Sequence, residues 1–128
     1  SLRENVISKL SKGENVIFDI DWQGTKQIKN NKLNYKIITI FILPPSKKEL
    51  FKRLLKREKK DKKIAIERMK QFKSDVRHWR DYDFTVVNDK IENCYKLIIN
   101  FINSQKKQNT KIKFNKRFVT NHIYNLLN

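Results

Sequence analysis

Seven consecutive residues, Ile37-Ile-Thr-Ile-Phe-Ile-Leu43, are apolar or β-branched at every position and stop at Pro44-Pro45. A run without polar alternation reads as a strand covered on both faces, because an open face would leave half of its side chains in water. It is also far too short to cross a membrane. Val16-Ile-Phe-Asp-Ile20 and the stretch from Asp83 to Val87 have the same character and read as further strands. Parallel strands need long crossovers between them, and helical patterns occupy the gaps.

Residues 3–12 carry Val6, Ile7 and Leu10 at helical spacing and end at Gly13. A second short helix is predicted over 24–31. Ser46-Lys-Lys-Glu49 is a capping box that opens a helix with Leu50, Phe51, Leu54 and Leu55 on one stripe. Residues 56–63 are almost entirely charged. Ala65, Met69, Phe72, Val76 and Trp79 then recur at helical intervals. Asp89-Lys-Ile-Glu92 repeats the capping pattern before a face of Ile91, Cys94, Tyr95, Ile98 and Ile102. Strands alternating with helices predict an α/β fold built on a parallel sheet. Residues 105–117 are basic and polar with no acid. Phe118, Val119, Ile123, Leu126 and Leu127 suit a short docking helix, so 105–128 reads as a basic tail rather than a second domain.

The chain has 128 residues, 23 of them Lys and 7 Arg against 13 acids, for a net charge of +17. Such a chain attracts polyanions without specificity. Abundant Lys, Asn and Ile together are also the usage of an A/T-rich genome, so most of the charge reads as solvated lysine. Cys94, the single cysteine, excludes an internal disulfide framework and a multi-cysteine zinc site. Residues 1–20 lack the apolar stretch of a signal peptide, and a cytoplasmic protein is expected.

Asp19 and Asp21 flank Ile20 at the carboxyl end of the first expected strand, where alternation would put both carboxylates on one side. Ligands of open parallel sheets bind beyond the carboxyl ends of strands. A carboxylate there can hold magnesium through water, accept from a base, or cap the following helix. Arg53 and Arg57 lie four apart outside the apolar stripe of their helix, and Arg68 lies on the next helix. Their guanidinium forks suit phosphate oxygens, and equally suit a surface pair such as Arg53 with Glu49. Asn88, ending the last strand, can bond a base edge or serve the turn. His78 reads as a surface residue and Cys94 as core.

Together these blocks resemble the guanylate kinase family. Val16-Ile-Phe-Asp-Ile-Asp-Trp-Gln-Gly24 is similar to its acidic strand, and Ile40-Phe-Ile-Leu-Pro-Pro-Ser46 to the next strand and helix start. Arg53-Leu-Leu-Lys-Arg57 with Ile66-Glu-Arg68 resembles its lid, and Tyr82-Asp-Phe-Thr-Val-Val-Asn-Asp89 its last strand. The blocks keep family order over residues 3–104, with a lid over about 46–80. The resemblance implies a parallel-sheet P-loop kinase fold and ATP-dependent phosphorylation of GMP, with Mg2+ accompanying ATP. It implies that Asp19 belongs to the magnesium and phosphate network and makes no direct metal site. Asp21, with Gln23 and Gly24, would meet GMP. Arg53, Arg57 and Arg68 would close over the phosphates as catalytic groups, and Asn88 would lie beside the adenine.

The phosphate-loop pattern G-x-x-x-x-G-K-[ST] does not occur, since Gly13 precedes Glu14 and Gly24 precedes Thr25. The expected fold is therefore incomplete. It lacks the phosphate-loop strand and the main GMP-binding segment, and its partners would be ATP, GMP and a missing N-terminal portion. Two other readings stand beside this one: a catalytically dead guanylate kinase-like module that binds a protein, and a small basic nucleic-acid-binding protein. The sequence carries no platform of stacking aromatics and no reading helix for the last, and nothing in it calls for a specific nucleic acid or a membrane.

Overall fold

The computed structural model describes residues 2–31, 35–106 and 116–127. The chain divides into two compact units, residues 1–37 and 38–128.

In the first unit, α1 (Leu2–Ser11) is followed by α2 (Trp22–Asn30). Gly13 takes φ +81° beyond the end of α1. There the Gly13 N–H donates to the Leu10 carbonyl at 3.0 Å and the Glu14 N–H to that of Lys9 at 3.1 Å. This double closure needs a left-handed residue, which glycine supplies without a steric penalty. Residues 14–21 form neither helix nor strand. The strand expected at Val16–Ile20 is thus not formed, and Ile17 is 94% exposed. A strand exists through its ladder, and among the described residues no strand pairs with this segment.

The second unit runs β1 (Ile40–Leu43), α3 (Lys47–Arg57), α4 (Lys62–Asp75), a 3-10 turn (Val76–Asp81), β2 (Phe84–Val87), α5 (Ile91–Lys106) and α6 (Lys116–Leu127). β1 and β2 are parallel, with Ile40 opposite Phe84 and Leu43 opposite Val87. The strand expected from Ile37 is shorter, and Ile37–Thr39 lie outside it. Ser46 caps α3 as its sequence predicts, its hydroxyl accepting from the Glu49 N–H at 3.0 Å. Glu49 gives its carboxylate to Arg53 rather than back to Ser46.

Pleating divides the core. Phe41 and Leu43 of β1 pack with Val76, Trp79 and the α6 residues Val119, Ile123 and Leu126. Ile38 and Ile40 pack with Phe84 and Val86 of β2 and with Cys94, Ile98 and Phe101 of α5. The α5 face differs from the expected one. Ile91 and Tyr95 are 77% and 63% exposed, while Cys94, Phe101 and Ser104 are buried. The helix is turned so that the Phe101 ring stacks on Phe84, centroids 4.5 Å apart and planes 8° from parallel. Burial pushes the Cys94 thiol up from its ordinary range. Of the basic stretch expected at 105–117, residues 107–115 lie outside the described residues.

Side chains close the strand pair at both ends. At the start, Asp83 Oδ2 accepts from the Thr39 N–H at 2.8 Å and from its hydroxyl at 3.1 Å. The Asp83 N–H in turn donates to Thr39 Oγ1 at 3.0 Å. At the far end, the Asn88 N–H donates to the Leu43 carbonyl at 2.7 Å. Arg53 then spans from α3, donating through Nη1 to the Asn88 carbonyl at 2.8 Å and through Nη2 to that of Asp89 at 3.3 Å.

Two expected outcomes follow for urea unfolding of the chain. Ile123→Ala should cost about 2–4 kcal/mol, as a large-to-small core change does, whereas Tyr95→Ala, at a position 63% exposed, should stay within about 0.5 kcal/mol. Arg53→Gln should cost about 1–2 kcal/mol through its lost charged hydrogen bonds, with Arg57→Gln near wild type.

Candidate functional site

Asp21 sits at the N-cap of α2 with φ −78° and ψ 179°, and its Oδ1 accepts from the Gly24 N–H at 2.8 Å. The capping alternative open at the sequence level is therefore realised for this carboxylate. Its second oxygen makes no hydrogen bond among the described residues. Gly24 is where that approach is tightest. A Cβ there would meet Ile20 Cβ at 3.2 Å and Asp21 Oδ1 at 3.3 Å, so a side chain would press on the cap. Asp19 and Gln23 are exposed. The ladder that would have aligned Asp19 with Asp21 is not present among the described residues. Trp22 opens α2, and Lys26 Nζ lies 5.3 Å from its ring centroid, a cation–π contact one turn along the helix.

The other candidates belong to the second unit. Arg53 and Asn88 are brought together by the bond from Nη1 to the Asn88 carbonyl. Arg53 also donates from Nε to Glu49 Oε1 at 3.1 Å, so all three guanidinium nitrogens are engaged. Asn88 spends its backbone on this junction. Its side-chain amide makes no hydrogen bond among the described residues, leaving both a donor and an acceptor at the carboxyl end of β2. Arg57 is exposed and makes no ion pair among the described residues. Arg68 is 60% exposed, with Nε 3.9 Å from Glu58 Oε1. Such an exposed pair is weak and opens readily. Arg57 and Arg68 are thus less committed to the fold than Arg53.

Sequence reasoning did not single out Asp83, which sets the start of the strand pair. Its signal emerges only when the register places it opposite Thr39. Among the described residues there is no group of three His, Cys, Asp or Glu side chains arranged to hold a metal. A lone carboxylate such as Asp19 can still serve a magnesium ion that takes its other ligands from water and phosphate, the usual arrangement for that cation.

The guanylate kinase family model matches residues 1–105. The chain is 45% identical over 94 residues to the guanylate kinase of Mesorhizobium japonicum, covering 73% of this chain and 42% of that protein. It is 41% identical over 98 residues to the guanylate kinase of Bartonella henselae, covering 77% and 44%. With the guanylate kinase of Bartonella quintana it is 35% identical over 128 residues, 100% of this chain and 58% of the relative. The chain thus spans about half the length of the curated relatives it matches. With a family match over most of its length, and an α/β architecture of parallel strands joined by a helical hairpin, this chain belongs to the guanylate kinase family.

Proposed function

We propose that these residues form the lid and part of both nucleotide sites of an enzyme that phosphorylates GMP with ATP, giving GDP and ADP. The observation that carries this reading is the junction of Arg53 with Asn88. It fastens the start of an arginine-bearing helical hairpin beside the carboxyl end of a parallel strand, where such sheets bind ligands. Family membership supports that reaction.

The chemistry is in-line transfer. A phosphate oxygen of GMP forms a bond to the γ-phosphorus of ATP as the bond from that phosphorus to the β-phosphate bridging oxygen breaks. The protein's work is positioning and charge neutralisation in a site closed to water. Asp21 accepts from the donor edge of guanine with the oxygen its cap leaves over, and Gln23 and Gly24 shape that contact. Arg57 and Arg68 swing onto the phosphates as the lid closes, with Arg53 holding the base of the lid. Asn88 offers its amide to the adenine. Asp19 would hold Mg2+ through water, and the ion, when bound with ATP, neutralises phosphate charge. The sequence contains no phosphate-loop pattern, so the cradle for ATP comes from another portion of the enzyme and the 128 residues alone are inactive. Among the described residues no helix is long and apolar enough to cross a membrane, and the reading places the enzyme in the cytoplasm.

The test is a chimera in which this chain replaces the matching portion of the Mesorhizobium japonicum relative, assayed for ADP release with ATP and GMP. The chimera should turn over while the isolated chain is silent. Within it, Arg57→Ala and Arg68→Ala should each lower kcat by about a hundredfold, as loss of a transition-state charge contact does. Asp21→Ala should raise KM for GMP and narrow its preference over AMP by about tenfold. A folded chimera that binds GMP without turnover would favour the protein-binding module instead. Unchanged kinetics in all three variants would overturn the residue roles.

A further inference from the structure

A groove of about 580 Å³ lies between α3 and α4, lined by Lys47, Lys48, Phe51, Ile66, Met69, Lys70 and Lys73. Its floor is apolar and its rim is four lysines. None of the four makes an ion pair among the described residues, and no lining residue is acidic. The charge is also placed against local preference. Lys47 and Lys48 occupy the first turn of α3, where the helix dipole already presents its positive end. The acid of that turn, Glu49, is engaged by Arg53. At the end of α4, Asp75 receives the neutral amide of Gln71 at 3.4 Å.

We propose that this groove docks an acidic, amphipathic helical segment of a partner protein. The chemistry of the lining selects that occupant. Lysines donate and cannot accept, so the occupant must bring the acceptors, and carboxylates flanking an apolar stripe do so. A nucleobase would find no acceptor among the lining side chains for its amino edge. The groove wall from Ile66 to Lys73 runs about 10 Å by helix rise, the length of two turns of a docked helix, and the groove lies between two helices. Phe51, Ile66 and Met69 would receive the apolar stripe, Met69 adapting its shape to the side chains that arrive. Such docking is separate from phosphoryl transfer and does not need the lid arginines.

The experiment titrates the full 128-residue chain with a fluorescein-labelled Glu/Leu peptide whose leucines form one helical stripe. A second peptide has the same composition with its leucines scattered, and a single-stranded DNA oligonucleotide and phosphatidylglycerol vesicles serve as competitors. Anisotropy at physiological salt should show the striped peptide binding at least about tenfold tighter than the scattered one, since steering by charge alone would not distinguish them. Met69→Gln and the pair Lys70→Glu with Lys73→Glu should each weaken binding by about tenfold or more. Lys47→Glu with Lys48→Glu gives the sharper outcome. It should raise the thermal midpoint, by relieving the α3 dipole, while abolishing docking, so loss of binding cannot be ascribed to unfolding. Equal affinity for the two peptides overturns the proposal, as do variants that bind like wild type. DNA or vesicles that bind through the same lysines and resist displacement by the striped peptide would assign the groove to those ligands instead.

Discussion

The second unit depends on one short parallel pairing, β1 against β2, and on the side chains that fix its two ends. Four residues on each strand make too small a ladder to stand alone. Thr39 and Asp83 tie its beginning by three hydrogen bonds. Arg53 ties its end by reaching two backbone carbonyls that would otherwise need water or strand partners. Register is the quantity at stake. A slip of one residue would send Phe41 and Leu43 toward α5 and Ile40 toward α6, emptying both halves of the core. The crossover from β1 to β2 runs through the whole α3–α4 hairpin, so the position of the hairpin is inherited from that register.

The same junction divides labour among the arginines. A guanidinium donating to one carboxylate and two carbonyls has few donors left for phosphate. Arg53 therefore acts in this conformation as the fastening of the hairpin, while Arg57 and Arg68 are exposed and lightly held. Asp21 shows a comparable double use. One oxygen terminates α2, and the other remains available for a ligand. In both cases a residue that resembles a family site residue also carries local structure, so removing it disturbs position as well as contact.

Local signals were legible where the physics is local. Gly13 marks the end of α1 because its left-handed φ is a property of that residue, and Ser46 caps α3 because its hydroxyl needs only its own helix. Val16–Ile20 looked equally convincing as a strand, yet strand formation requires a second chain segment that the pattern cannot supply. The face of α5 differs from its expected one for a related reason. Helical spacing groups Ile91 and Tyr95 with Cys94, Ile98 and Ile102 and passes over Phe101, whereas the stacking of Phe101 on Phe84 turns Cys94 and Phe101 inward and leaves Ile91 and Tyr95 exposed. At the candidate site, residue types and order identified the family. The engagement of Arg53 with the Asn88 carbonyl, 35 residues away, belongs to tertiary packing and was invisible in the spacing.

The lysine content then separates into two populations. Lys9, Lys26, Lys29 and Lys96 lie on exposed helix faces, where biased codon usage suffices to explain them. Those on the α3–α4 hairpin do not fit that account as easily. Lys59 and Lys60 adopt φ of 53° and 67° at its turn, a conformation that costs an L-residue about 1–2 kcal/mol each and that glycine would adopt freely. The Lys60 N–H donates to the Leu55 carbonyl at 2.7 Å to hold that turn. At the opposite end, Lys47 and Lys48 face the positive pole of their own helix. Cations at both ends of one hairpin, in positions where neutral or acidic residues would fold better, are a sign of charge kept for something outside the fold. At Lys47 and Lys48, an anionic occupant of the proposed groove would offset the repulsion from the helix dipole.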